Sequence, residues 1–397
     1  MRKAFFIIIA LLSGMTSMLQ AKNDRGPKVV CGPYVQCVTE DSFTVLWVTD
    51  MDAICWIETA PDDGTHFYNC NRTRHFDMRG QGMQPIGKIH KIKVEGLEKG
   101  STCRYRLMSK GVVSFKDCGD VKYTKVTGSD VYKGKPYQVK TFRNSYDTIR
   151  FDIYNDIHGR DSLLGVLMDG MRKDLDFVAF NGDMTTHIES HEMVQTMYLS
   201  TAASKLGGKI PLFASRGNHE LRGREAIRWF DYFTTPTGQT YYSFRLGKFF
   251  FIVLDGCEDK PDEDIEYAGT VLSEPYLKAQ EEWLKRVLAS EEFLSSEVRM
   301  VFCHIPPETK GWHGNMNVCK YFVPHLNKAD IDVMFSAHIH KWRYDAPDSG
   351  ISNANFPVVC CPSVQRTEVT ASAEKIVLNV INSDGVKTQS LELTCRR

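Results

Sequence analysis

The sequence predicts an α/β fold, a layered β-sandwich flanked by helices, preceded by a small all-β domain. Three observations predict it. Short alternating apolar runs separated by glycine and aspartate turns occupy the first third of the chain. From about Thr148 apolar strands alternate with helical stretches, and five of those strands end in aspartate, asparagine or histidine. At 397 residues the chain exceeds the usual size of one domain. Its 42% hydrophobic and 25% charged residues are ordinary for a globular protein, which argues against disorder. Lysine plus arginine equals aspartate plus glutamate at 49 each, so no global field draws the chain to nucleic acid or an anionic membrane. No specific nucleic-acid binding is expected, and any anion must be attracted locally.

Residues 1–21 read as a signal peptide. Arg2 and Lys3 precede the apolar run Ala4 to Leu12, which weakens to a small-residue end at Ala21. The run is shorter than the ~20 residues a spanning helix needs, and no later segment reaches that length. Export to the periplasm or beyond, without a transmembrane segment in the mature chain, is therefore expected. Twelve cysteines are compatible with disulfides in such a compartment, although Cys303, Cys360 and Cys361 sit in apolar runs typical of core thiols. No pair has CxxC spacing, so a thiolate zinc site is not expected.

Residues 22–145 form the all-β domain. Phe43 to Val48 and Ile89 to Val94 alternate, and the turn within Val94 to Leu107 precedes a strand carrying Tyr105 inward. With Trp47 on an earlier strand, this resembles a fibronectin type III-like sandwich. The polar stretch from Gly128 to Gln138 leads out of it. Residues 146–397 form the α/β domain. Helices are expected over Asp161–Leu175, Glu189–Lys205 and Leu277–Ala289, the first with Leu163, Leu164, Leu167 and Met171 at helical spacing. Asn382 to Gly385 between Ile376–Val380 and Thr388–Leu393 signals a hairpin.

The five strand ends carry the chemistry. Ile149 to Tyr154 leads to Asp156 and His158, Phe177 to Phe180 leads to Asp183, and Ile210 to Ala214 leads to Asn218, His219 and Glu220. Met300 to Cys303 leads to His304, and Val333 to Phe335 leads to His338 and His340. Groups just past strand ends of an open α/β sheet converge on one crevice. Each motif alone is more often a turn or a cap; five in series are not accounted for by turns. Two aspartates, one asparagine and four histidines suit two metal ions, since carboxylates bridge and imidazole favours zinc and iron.

The ordered set resembles the calcineurin-like metallophosphoesterases, whose pattern is DxH, GD, GNH(D/E), a later H and GHxH. The likeness covers about the last 250 residues. It implies that Asp156, His158 and His340 hold one metal, Asn218, His304 and His338 the other, and that Asp183 bridges them. Ala337 stands where the pattern has glycine. The sandwich in front makes purple acid phosphatases similar in architecture, and Val301 to His304 fits their VxxH. Those enzymes place a tyrosine three residues after the bridging aspartate and lack the first histidine; here Thr186 and His158 occupy the two positions. No iron–tyrosinate colour is expected, and iron, zinc and manganese all remain open.

The resemblance implies hydrolysis of a phosphate ester on a small molecule or macromolecule, with a phosphomonoester favoured and a phosphodiester the alternative. A non-catalytic surface-binding protein is the reading from another class, and a lost ligand would favour it. His219 adjoins Asn218 without a ligand role, and is the expected proton donor or phosphoryl-stabilising group. Substrate contacts are sought among Arg222, which could fork onto phosphate oxygens, His187 after the Gly-Asp motif, and His313 with Trp312 in the loop after His304. Arg216 and Arg224 flank the same motif, where Glu220 would favour the positive start of the next helix.

Overall fold

Alternation of β-branched and aromatic residues with polar ones folds the first third into seven strands. They are β1 (Val29–Gln36), β2 (Phe43–Pro61), β3 (Thr73–Phe76), β4 (Gly87–Val94), β5 (Thr102–Phe115), β6 (Val121–Gly128) and β7 (Tyr137–Lys140). The computed structural model describes residues 25–69, 71–116, 119–267 and 269–396; the expected signal peptide, Cys70 and Cys118 lie outside them. Trp47 and Tyr105 are both fully buried, as their positions in the alternation require. One feature differs from a two-sheet sandwich. Strand β2 runs for 19 residues, pairing with β1 and β4 along its first half and with β3 and β5 along its second. The register shifts between Val48 and Ala53, where the pairing changes. All seven strands are thereby linked into one hydrogen-bonded sheet.

Twelve strands follow: β8 (Thr148–Tyr154), β9 (Phe177–Asn181), β10 (Leu212–Ser215), β11 (Tyr242–Leu246), β12 (Phe249–Leu254), β13 (Val298–Cys303), β14 (Val333–Ser336), β15 (Arg343–Asp345), β16 (Val358–Cys360), β17 (Arg366–Ser372), β18 (Lys375–Ile381) and β19 (Lys387–Thr394). They make two six-stranded sheets, in the orders β10-β9-β8-β17-β18-β19 and β11-β12-β13-β14-β16-β15. The expected hairpin is β18–β19. Phe151, Phe177 and Phe213 on the first sheet face Phe244, Phe251, Phe302 and Phe335 on the second. Phe151 alone meets three of these rings edge-on at 5.7–6.0 Å. At about 2–3 kcal/mol per fully buried phenylalanine, this aromatic interlayer dominates the adhesion of the sheets. Helices cover the outer faces, Asp161–Asp169 and Ser200–Leu206 on one side, Ser273–Leu288 and His313–Tyr321 on the other. Central strands are buried on both sides, which is why they read as unbroken apolar runs.

The first helix stops at Asp169, short of the expected Leu175, because Arg172 turns inward to Asp152 at 2.8 Å. The second expected helix begins at Glu192 and is wound as a π-helix over Gln195–Leu199 before Ser200–Leu206. The third begins earlier than expected, at Ser273. The all-β part docks on this scaffold. Tyr34 and Tyr105 donate their hydroxyls to the carbonyls of Tyr232 (2.6 Å) and Gly208 (2.7 Å), and Val35 bridges to Pro211. The apolar core runs without a break from Val35 and Tyr105 through Phe142 to Phe213. The ten described cysteines are free thiols, so the disulfides compatible with the sequence are not found among them. Among the described residues no helix is long and apolar enough to cross a membrane.

Candidate metal centre

Strands β8, β9 and β10 are parallel in one sheet, and β13 and β14 are parallel in the other. Their C-terminal ends open on one rim, so the five motifs meet there. Neighbouring loops are stitched together: the Asp156 amide donates to Gly182, and the His158 amide to Asp183, at 3.1 and 3.0 Å. Turning side chains inward at such sharp exits requires left-handed backbone. Asp156, His158, Asp183, His338 and His340 all have φ between 50° and 68°. Each costs roughly 1–2 kcal/mol, and aspartate and histidine are among the residue types that tolerate it. Gly182, with φ 85°, is obligatory, since a Cβ there would lie 2.4 Å from the His304 ring. Ala337 needs no glycine; it is outside the positive-φ set and donates its amide to His304 at 2.8 Å.

Three groups of ligand-type atoms emerge, each within 4.8 Å: Asp156, His158 and His340; Asp183, His304 and His338; and His158, Asp183 and His219. The Nε2 atoms of His158 and His340 lie 3.0 Å apart, with Asp156 Oδ1 3.4 Å from the latter. Asp183 Oδ2 is 3.1 Å from His304 Nε2 and 4.0 Å from His158 Nε2, so it stands between the groups. Asn218 Oδ1 is 3.1 Å from His338 Nδ1. Among these buried atoms Asp156 Oδ1 and His304 Nε2 have no hydrogen-bond partner. Buried polar atoms are rarely left so, and a carboxylate oxygen facing a basic imidazole nitrogen is the donor set a cation needs. His304 is oriented for it by its other nitrogen, 2.7 Å from the Asn181 carbonyl.

The same crowding sets the protonation of the bare site. Burial pushes the imidazoles of His158 and His338 down to about 4, keeping them neutral, the form that ligates. Burial opposes charge on His304 as well, yet the adjacent Asp183 carboxylate holds it up to about 10. Asp183 is correspondingly held below the usual carboxylate range by His304, against its own burial.

A buried carboxylate that sequence reasoning assigned to a helix start performs a different task. Glu220 is 2% exposed and accepts from the amides of Gly217 (2.8 Å), Asp183 (2.9 Å), Met184 (2.7 Å) and Thr185 (3.3 Å). It thereby clamps the β9 and β10 exit loops together. His219 holds Nδ1 against the Thr186 carbonyl at 2.8 Å and turns Nε2 toward the cleft, 3.9 Å from Asp183 Oδ2. That spacing also groups it with His158 and Asp183 as ligand-type atoms.

The cluster forms the floor of a cleft of about 640 Å³, lined by His219, Arg222, Asp259, Lys310, Trp312 and His338 among others. Of Arg222, His187 and His313, only Arg222 lines it. His187 does not; its ring is 3.0 Å from Thr186 Oγ1. His313 starts the helix His313–Tyr321, and its neighbour Trp312 faces the cleft instead. Arg216 is spent on Asp255 at 2.8 Å, and Arg224 is exposed.

Residues 149–342 match the model of the calcineurin-like phosphoesterase family. This half of the chain is a calcineurin-like phosphoesterase domain. The mouse protein named serine/threonine-protein phosphatase CPPED1 is 27% identical over 219 residues, covering 50% of this chain and 66% of the mouse protein. The human protein of the same name is 26% identical over 210 residues, covering 50% and 64%. The match thus spans just under two thirds of these relatives' length. The fold extends further. The yellow lupin purple acid phosphatase PPD1 superposes with a TM-score of 0.61 at 15% identity, over 93% of this chain and 74% of its own. PhoD gives 0.59 at 12% identity, over 91% and 88%. At these identities the likeness is one of fold, and it covers the all-β part as well as the phosphoesterase domain.

Proposed function

We propose that the chain is an exported, dinuclear-metal phosphohydrolase that cleaves a phosphate ester, of the monoester class. The observation that carries this reading is the convergence of seven ligand-type side chains, with Asp156 Oδ1 and His304 Nε2 buried among them without a hydrogen-bond partner. Asp156, His158 and His340 would hold one ion, Asn218, His304 and His338 the other, with Asp183 shared. Two ions of iron, zinc or manganese bound there supply charge stabilisation for the phosphoryl group and a water activated for in-line attack.

The chain's own groups do the rest. The Thr186 carbonyl fixes His219 with its proton on Nδ1, and Arg222 Nη1 donates to Nε2 at 3.2 Å. That donation occupies the lone pair a metal would need, which favours a catalytic over a ligand role for His219. Once an ester draws Arg222 onto a phosphoryl oxygen, Nε2 is free to hold the proton that the leaving oxygen takes up. Arg222 itself is restrained by Glu258, Asp259 and Glu266 at 3.0–3.3 Å, so its guanidinium is aimed before substrate arrives. The phosphatase name of the mouse relative and the purple acid phosphatase architecture support the monoester preference. Arg2, Lys3 and the run Ala4 to Leu12 support export, which the N-terminal sequence of the mature protein tests.

Metal analysis together with a panel of mono- and diester substrates tests the activity. Two tightly held ions and faster monoester turnover are expected. Fewer than two ions in metal-replete protein, with nothing cleaved, would overturn the reading.

A further inference from the structure

Beyond the phosphoryl site, the cleft has a second wall that the ligand cluster does not use. The loop from Glu308 to Trp312 rises beside His338 and lines the cleft. Trp312 is 62% exposed at its tip, an unusual setting for an indole in a soluble domain. Its ring stands edge-to-face with the His338 imidazole, centroids 5.9 Å apart. Lys310, two residues earlier, is exposed on the same wall and makes no ion pair or hydrogen bond among the described residues. The other cleft cations differ: Lys260 is paired with Asp259 and Glu266, and Arg222 with three carboxylates.

The wall is built rather than floppy. Buried Asn315 takes the Trp312 amide on Oδ1 at 2.9 Å and donates Nδ2 to the Pro306 carbonyl at 2.8 Å. The Thr309 amide donates to Ile351 at 2.8 Å, and Glu308 is pinned by Arg343 at 2.7 Å. A cation left unpaired and an indole left bare, both on a fastened loop, await a ligand that is planar at one end and anionic beyond it.

We infer that Trp312 and Lys310 form a subsite for a nucleotide, with the base stacked on the indole and an additional anionic group near the lysine. The inference rests on the phosphohydrolase reading. Trp312 stands beside a ligand residue rather than within the cluster, so a stacked ring needs a spacer between it and the scissile phosphate; a sugar provides one, whereas a ring joined directly to the ester oxygen does not. The cleft volume of about 640 Å³ far exceeds a phosphate and falls within the ~300–1,000 Å³ of sites that enclose drug-sized ligands. Base–aromatic stacking tolerates any base, so no single nucleobase is implied.

The experiment compares metal-loaded wild type, Trp312→Ala and Lys310→Ala on adenosine 5′-monophosphate, adenosine 5′-diphosphate, glycerol 3-phosphate and phosphotyrosine. Binding of the two nucleotides is followed in parallel by isothermal titration calorimetry. The wild type should prefer the nucleotides. Trp312→Ala should raise KM for both about tenfold or more, and far more than it raises KM for glycerol phosphate. Lys310→Ala should affect the diphosphate most. Equal activity on all four substrates, or a Trp312→Ala change shared equally by glycerol phosphate, would overturn the subsite while leaving the phosphohydrolase intact. Preference for phosphotyrosine, lost in Trp312→Ala, would overturn the nucleotide class. If nothing is hydrolysed, the phosphohydrolase reading fails, and saturable nucleotide binding that Trp312→Phe retains and Trp312→Ala loses would still support the subsite; its absence would overturn that too.

Discussion

At the scale of single residues, Glu220 and His219 stand side by side and do different things. Glu220 faces four backbone donors from two loops. Glu220→Gln turns an amide NH2 against some of those donors, leaving buried groups unsatisfied at a cost of about 3 kcal/mol. Denaturant unfolding should record that loss, and metal content should fall with it, because the Asp183 loop is one of the two being held. His219→Asn should behave oppositely, lowering kcat by roughly 10²–10⁴ with both metals retained. Equal loss of metal and turnover in that variant would make His219 a ligand, as its 3.9 Å approach to Asp183 allows. The motif residues were legible because short apolar strands ending in Asp, Asn and His are a rare pattern. Glu220's clamp was not, since its partners are amides of a different strand's loop. Trp312 and His313 were legible only as a pair, since which of two adjacent residues faces a cleft depends on how Asn315 ties the loop.

Elements show where local pattern and tertiary structure part company. The helix opening at Asp161 carried apolar residues through Met171, yet it ends at Asp169 because Arg172 leaves the helical path for the buried Asp152. A period cannot register a partner on β8. Likewise the length of β2, and so the single sheet it creates, follows from pairing with four strands in succession. Within β4, His90 is 4% exposed, packed on Trp47 and 2.9 Å from Thr49 Oγ1. Burial pushes its imidazole down to about 4. The unfolded chain binds a proton near pH 6.5 while the native one resists, so stability present above pH 6.5 is lost as pH falls toward 4. The loss amounts to about 3 kcal/mol. Urea midpoints measured across this range should slope less in His90→Gln than in the wild type; an unchanged slope would remove His90 as the cause.

On the scale of the whole molecule, the all-β part and the phosphoesterase domain share one core from Val35 to Phe335. Tyr34 and Tyr105 reach across to backbone carbonyls of the larger part. The full chain should therefore melt in a single transition, and residues 146–397 alone should melt well below it or fail to remain soluble; two separate transitions by calorimetry would contradict this. The division into two rhythms was readable from the sequence, but their fusion was not, because each rhythm is local and the shared core is a contact between them. The five left-handed candidate ligands bear on how the protein can be handled. Their turns are held by amide hydrogen bonds between neighbouring loops and by Glu220. A chelator should strip the cations while circular dichroism stays unchanged, and turnover should return on adding back one element at a time. Finding the native ion then becomes a titration of folded protein rather than a refolding experiment.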